Sequence, residues 1–514
     1  MCAKRVSVFG ISTSILLFST LLQAAPVLIE VNLEDKADFG FAKGLGISAW
    51  ARWGNIFLAE TEEENLSSLQ EKEIRFEVIT RFPGTEKSYL LSPHPGIQPS
   101  KVADVIGRPV LNESEQFFAQ LNQDGLAIME ENGYVALEIG EKAIPFTYQE
   151  PMAIEQPSAA VLDWIQTLVD QISRDSLQSY NQRLQNFQTR YSYSDSIASA
   201  RQWLVDKFTS FGIDSVYLDH FFYDSDQWNV VATVPGTVEP DVLIVVGGHY
   251  DSVTYGQSPG PLTYAPGADD NGSGTAATLE IARIIADNPL PQTMLFVPFA
   301  QEEQGLKGSN AFADEALFKG WDIRFMLNMD MIGYKYNDTL VWLLHDPPSQ
   351  PIADLMVNLA LTYAGLTGVK SSASGNSDHW PFMQNGYQAV FTHEYIFNSQ
   401  GWHKNTDVTD SMNFDYVTKV AKLALATITS LSQSSCANFV GDLNGNSGIS
   451  LGDAVYLVNY LFGKPGNWPI DPACQGDVNG DSTLSLSDVI HLANFIFGKP
   501  GDWSPVPTGS CCLF

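Results

Sequence analysis

Three stretches decide the fold: DVLIVVGG (241–248), TMLFVPFA (293–300) and RFMLNMDMI (324–332) are runs of mostly apolar side chains. Between the first two lies GTAATLEIARIIAD (274–287), whose apolar residues recur at helical spacing. A strand that is apolar at nearly every position is covered on both faces, as in a parallel sheet flanked by helices. Strands of this kind alternating with helices predict an α/β domain with a mostly parallel, buried sheet. Two more helical stretches precede them, AVLDWIQTLVDQI (160–172) and IASARQWLVDKFTSFG (197–212), and Gly212 is placed to end the second. The domain is read as residues 155–433.

Chemistry-bearing residues follow each of these strands. His249 and Asp251 come after the first, Glu302 and Glu303 after the second, and Asp330 closes the third. Asp269 and Asp270 lie in the glycine-rich loop PGADDNGSG (266–274), and His403 lies in SQGWHKNTD (399–407). Each group alone says little. Ligands of open α/β sheets gather at the carboxyl ends of the strands, so together these groups point to one shared metal site. The domain has no cysteine, so a metal there must use His, Asp or Glu. The glycine-rich loop has two readings. Asp269, Asn271, Ser273, Gly274 and Glu280 fall at positions 1, 3, 5, 6 and 12 of a calcium-loop pattern. Alternatively, one carboxylate is presented to a transition metal. No helix precedes the loop and Ala276 and Ala277 occupy the eighth and ninth positions, which speaks against calcium.

The 514 residues carry a formal net charge of −31, which argues against nucleic acid and against an anionic membrane surface as partners. Lys4 and Arg5, then an apolar run and a small residue at Ala24, predict a signal peptide over 1–24, hence a secreted protein. No later segment is apolar enough to span a bilayer. Residues 26–150 are read as a β-rich accessory or pro-domain, with strands at EIRFEVITRF (73–82) and GYVALEIG (133–140).

The blocks GGHYDS (247–252), GADDNGSG (267–274), QEEQGLKGS (301–309), NMDMIG (328–333) and GWHKNTD (401–407), with NSDHWPF (376–382), resemble in order those of the exported dinuclear zinc aminopeptidases of the aminopeptidase Y and bacterial leucyl aminopeptidase type. The resemblance spans about 155–433. It implies the zinc exopeptidase fold, with a mixed, mostly parallel central sheet flanked by helices. It implies two zinc ions, one held by His249 and Asp330 and the other by Glu303 and His403, with Asp270 bridging them. Glu302 would be the general base and Asp251 would hold His249. The activity implied is metallo-exopeptidase hydrolysis of N-terminal residues from peptide substrates by a zinc-activated water. Carboxypeptidases and glutaminyl cyclases share the scaffold, and a non-catalytic binding protein is the alternative of another class. One departure is Trp402, where some relatives place a tyrosine near the last histidine. Its indole N–H could steady the oxyanion, or the ring could line the pocket.

A Ser-rich linker, SLSQSSCAN (430–438), leads to an internal repeat. GDLNGNSGISLGDAVYLVNYLFGKPGNW (441–468) recurs 35 residues later as GDVNGDSTLSLSDVIHLANFIFGKPGDW. Hard oxygen donors occupy positions 1, 3, 5, 7, 9 and 12 of each loop, a calcium pattern. They are Asp442, Asn444, Asn446, Gly448, Ser450 and Asp453, then Asp477, Asn479, Asp481, Thr483, Ser485 and Asp488. The pair, over 437–503, resembles a dockerin, a small α-helical module that implies two calcium ions and a cohesin-type partner; a calcium-stapled module with no partner is the alternative. Tyr456, Leu457, Leu461 and Phe462, with Leu492, Phe495, Ile496 and Phe497, are expected to supply its core. Cys436, Cys474, Cys511 and Cys512 allow three disulfide pairings.

Overall fold

The computed structural model describes residues 26–81 and 159–432 and, with gaps, 87–154 and 441–501. The predicted signal peptide lies outside the described residues, as do the four C-terminal cysteines.

The central layer is an eight-stranded sheet. Its strands are β9 (Ser215–Phe222), β10 (Asp226–Val234), β11 (Glu239–His249), β12 (Gln292–Phe299), β13 (Asp322–Met329), β14 (Leu340–His345), β15 (Thr367–Ser372) and β16 (Ala389–Glu394), in the spatial order β15-β14-β16-β13-β11-β12-β10-β9. The middle of the sheet is parallel, through β12–β11, β11–β13 and β13–β16. Parallel β14–β15 joins it through the antiparallel β14–β16 pair, and β10 and β9 add an antiparallel edge. The mixed sheet flanked by helices is therefore as expected.

Alternate side chains of the apolar strands feed two cores. Ile244, Val246, Phe296 and Leu327 pack under the helices Gly272–Asp287 and Phe414–Leu431. Val245, Leu295, Val297 and Met326 face the other way. The helix Ser196–Ser210 stops where predicted, with Gly212 at φ 82°.

The second core is shared. Among the described residues, 26–147 contribute two antiparallel sheets. One has the order β2-β3-β1-β4, from β1 (Pro26–Asn32), β2 (Ser48–Trp53), β3 (Ile56–Glu62) and β4 (Arg75–Arg81). The other has the order β6-β7-β5-β8, from β5 (Lys87–Pro93), β6 (Pro109–Val110), β7 (Gln116–Leu121) and β8 (Tyr134–Ile139). Leu28, Trp53, Leu90 and Phe118 from these sheets join Phe299, Phe312, Phe382 and Phe391 in one cluster.

In the tail, the helices Leu451–Leu461 and Leu486–Ile496 each begin with a capping box. Asp453 accepts from the N–H of Ser450, and Asp488 from that of Ser485, both at 2.9 Å. Asp453 also accepts from Leu443 N at 2.8 Å, and Asp488 from Asn479 N at 3.2 Å, so each closes its loop. Ser450, Asp477, Asn479, Thr483 and Ser485 are described, whereas Asp442, Asn444, Asn446, Gly448 and Asp481 lie outside the described residues. The expected core is corrected in part. Leu457 and Leu492 are fully buried, with Tyr456, Leu461 and Ile496 packed around them. Phe462 and Phe497 are 60% and 63% exposed, and Phe495 is exposed too. The reason is geometric: one helical stripe, Ala454, Leu457, Leu461, faces the partner helix, and Phe462 and Phe497 are C-cap residues outside it. Among the described residues no helix is long and apolar enough to cross a membrane.

Candidate metal centre

Three strand ends and two loops converge. His249 is the last residue of β11, Glu302 and Glu303 follow β12, and Asp330 follows β13. Asp270 precedes the helix Gly272–Asp287, and His403 comes from the loop before the last long helix of the layer. His249 Nε2 lies 3.3 Å from Asp270 Oδ1 and 3.4 Å from Asp330 Oδ1. His403 Nε2 lies 3.3 Å from Asp270 Oδ2 and 2.8 Å from Glu303 Oε2. His249, Asp270 and Asp330 thus form one group with metal-ligand spacing, and Asp270, Glu303 and His403 form a second. Asp270 is common to both and presents a different oxygen to each. Glu302 stands beside the first group, with Oε2 3.8 Å from His249 Nε2.

The loop that carries Asp270 is built for close approach. Asn271 caps the following helix through Gly274 N at 2.8 Å and donates to Met329 O at 2.9 Å. A Cβ on Gly274 would lie 2.0 Å from that same Met329 O, so no side chain fits there. Asp269 turns the other way: it accepts from Gly333 N at 2.9 Å and Asn398 Nδ2 at 3.0 Å. Glu280, the twelfth residue of the calcium-loop pattern, instead accepts from Ser173 N and pairs with Arg283. The calcium reading of this loop has no site. Three metal-facing turns hold a non-glycine residue in the left-handed region: Gln301 (φ 54°), Met331 (φ 48°) and His403 (φ 54°). Such conformations persist only where the surroundings over-determine them, and they cluster at functional sites.

Asp251 does more than touch His249. His249 Nδ1 is 3.2 Å from the Asp251 backbone oxygen and 3.5 Å from Oδ1. The Asp251 carboxylate accepts from Glu302 N at 3.1 Å, Ser192 Oγ at 3.1 Å and Glu303 N at 3.4 Å. It fixes the backbone of the Glu302–Glu303 pair. Trp402 stacks on His403 with centroids 4.2 Å apart, and Tyr255 meets the same imidazole edge-on at 5.0 Å.

Other supports were not singled out in the sequence. Asp407 accepts from Asp269 N at 2.9 Å and Asp270 N at 3.0 Å, tying the His403 loop to the Asp270 loop. Arg190, fully buried, donates to Tyr250, Pro266 and Gly267 carbonyls. Ser377 donates to Asp330 Oδ2 at 2.7 Å. Asp407 and Ser377 lie within the blocks GWHKNTD and NSDHWPF, whereas Arg190 carried no signal.

The cluster is strongly charged. Burial would lower both imidazoles, but Glu302 and Asp330 hold His249 well above the ordinary histidine range, and Glu303 and Asp270 raise His403 to about 10. Burial pushes Asp270 up, yet the two imidazoles leave its carboxyl well below the usual range. Burial, then Asp270, raises Glu303 to about 7. The surrounding carboxylates favour positive charge at this place, which metal cations would supply.

Residues 229–428 match the sequence description "Peptidase family M28". Leucine aminopeptidase 1 of Ajellomyces capsulatus is 27% identical over 316 residues, covering 58% of this chain and 81% of that protein. A protein named probable zinc metalloprotease, from Pyrenophora teres f. teres, is 31% identical over 348 residues, covering 58% and 73%. The crystal structure of the LapA aminopeptidase of Legionella pneumophila superposes with a TM-score of 0.53 at 20% identity, covering 68% of this chain and 99% of that one, a likeness of fold. The chain belongs to peptidase family M28 and is a metallo-exopeptidase.

Proposed function

We propose that the protein is a secreted aminopeptidase that removes N-terminal residues from peptides at a two-zinc centre. The observation that carries this reading is the sharing of Asp270 between the two ligand groups. Two cations held close together need a common anion, and one carboxylate facing two imidazoles with two oxygens is suited to that. The donors fit zinc: imidazole nitrogens and carboxylate oxygens, with no thiolate. His249 Nε2, Glu303 Oε1 and Asp330 Oδ1 are buried without hydrogen-bond partners, as atoms awaiting a metal would be. His249 and Asp330 would hold one ion, Glu303 and His403 the other, and Asp270 both.

When bound, the zinc ions supply a Lewis acid for the scissile carbonyl and lower the pKa of a water. Glu302 takes a proton from water at a carboxylate oxygen and returns it to the leaving amine. Burial, chiefly, raises its carboxyl well above the ordinary carboxylate range. Asp251 keeps Glu302 and Glu303 in register by accepting from both backbone N–H groups. Trp402 and Tyr255 both line the cleft and both contact the His403 ring. The test is turnover of matched peptides with a free or a blocked amino terminus. Only free-amine peptides should be shortened; removal of C-terminal residues, or ammonia release from N-terminal glutamine without peptide cleavage, would replace this reading with one of the other two on the scaffold.

For the tail we propose two calcium ions and a cohesin-type partner. Supporting it, the two helices expose apolar side chains at equivalent places 35 residues apart: Leu451 and Leu486, Val455 and Ile490, Tyr460 and Phe495, Phe462 and Phe497. An apolar pattern kept exposed in both repeats is what a docking face requires. Calcium-dependent retention of the protein on an immobilised cohesin supports the reading, and equal retention in excess chelator contradicts it.

A further inference from the structure

The cleft at the metal centre is walled by two parts of the chain. It is a cavity of about 550 Å³ whose lining includes Asp270, Glu302, Glu303, Asp330 and His403. The same cavity is lined by Trp50, Leu90, Val135, Leu137 and Ile139 from the N-terminal sheets. Side chains two apart on a strand share a face, so Val135, Leu137 and Ile139 form one apolar strip of β8. Leu137 and Ile139 pack on the cluster that contains Phe299 and Phe382.

Two sets of contacts fix this wall. In the first, Arg52 N donates to Gln384 Oε1 at 2.7 Å and Gln384 Nε2 donates to Arg52 O at 2.8 Å. The Arg52 guanidinium is fully buried and donates to Gly54 O and Thr147 O. Burial lowers its pKa to about 10, and Asp346, a buried acid of the catalytic layer, opposes that fall. In the second, Gly375 N donates to Ser92 Oγ at 3.0 Å, and a Cβ on Gly375 would sit 2.4 Å from Leu137 Cδ1. Two residues further on, Ser377 holds Asp330. One short segment therefore touches both the N-terminal wall and a residue of the metal centre. Release of the N-terminal sheets would bare Phe299, Phe382 and Phe391, all fully buried, and would strip Gln384 of its partner. Shedding these sheets would leave that apolar surface exposed on the catalytic layer.

We propose that residues 26–147 are a permanent wall of the substrate cleft, and that the strip Val135, Leu137, Ile139 selects peptides by their apolar side chains. The selection half rests on the peptidase reading above; the permanence half does not. For permanence, a specific protease site is inserted after residue 156 of the full chain and cut. The two pieces should co-elute in gel filtration and separate only in denaturant; separation in native buffer overturns the proposal. For selection, kcat/KM is measured for two free-amine peptides, one wholly apolar and one with lysines in place of the apolar residues. Ile139→Asp, with Val135→Asp as a second variant, should shift the apolar-to-lysine ratio at least about tenfold toward the lysine peptide, the scale of pocket discrimination by small apolar differences. An unchanged ratio in both variants, with zinc content intact, overturns selection by this strip. If the unmodified chain shortens no free-amine peptide, the aminopeptidase reading and selection fall together, while co-elution still decides permanence.

Discussion

Two adjacent carboxylates, Asp269 and Asp270, face opposite ways, and that division organises the site. Asp270 lies between two imidazoles, and Asp269 braces the backbone behind it. Glu302 and Glu303 divide in the same manner: Glu303 meets His403, and Glu302 stands 3.8 Å from His249. Glu302→Gln should keep its zinc by elemental analysis and lose about 10²–10⁴-fold in kcat, the usual worth of a positioned base; undiminished turnover removes Glu302 from the mechanism. Asp407→Asn swaps one acceptor oxygen for a donor against the N–H groups of Asp269 and Asp270. It should weaken zinc affinity by about 10–100-fold, the range for partners that orient metal ligands; a competition titration with a chromogenic chelator measures it. His249, Glu302, Glu303 and Asp330 were legible in sequence because each ends or follows an apolar strand, and Asp270 and His403 because their loops resemble blocks of a known family. Arg190 was not, because its partners lie far away along the chain and no spacing announces it.

Strand ends and the turns after them carry the precision of the centre. Gly274 is the clearest case, since any Cβ there meets Met329 O, the carbonyl just before Asp330. Gly274→Ala should lower stability by about 1–3 kcal/mol, as overpacking does, and thermal unfolding with and without added zinc checks it. An unchanged melting temperature would mean that the helix and β13 can move apart without cost. Central strands were readable because burial on both faces leaves a continuous apolar run. The N-terminal sheets were readable only as strand segments. Antiparallel partners such as β5 and β8 are paired across long stretches of sequence, and nothing local encodes their order. In the tail, helix positions followed from the repeat, but Phe462 and Phe497 were misplaced into the core because composition alone does not say which stripe of a helix is covered.

At the scale of the molecule, an N-terminal half-shell and a catalytic layer share one core, and the tail has its own. So small a tail core gives little stability alone. Calcium should supply the rest, because its binding free energy becomes folding free energy. Helix content of segment 436–505, read by circular dichroism, should rise when calcium is added to chelated protein; equal helicity in excess chelator would show that the loops need no ion. Zinc content of the full chain tests the account most directly, because the shared carboxylate is its centre. The account predicts two zinc ions per chain, their loss in Asp270→Ala, and a milder effect in Asp269→Ala. Equal zinc loss in the two variants, or full retention in Asp270→Ala, would contradict it.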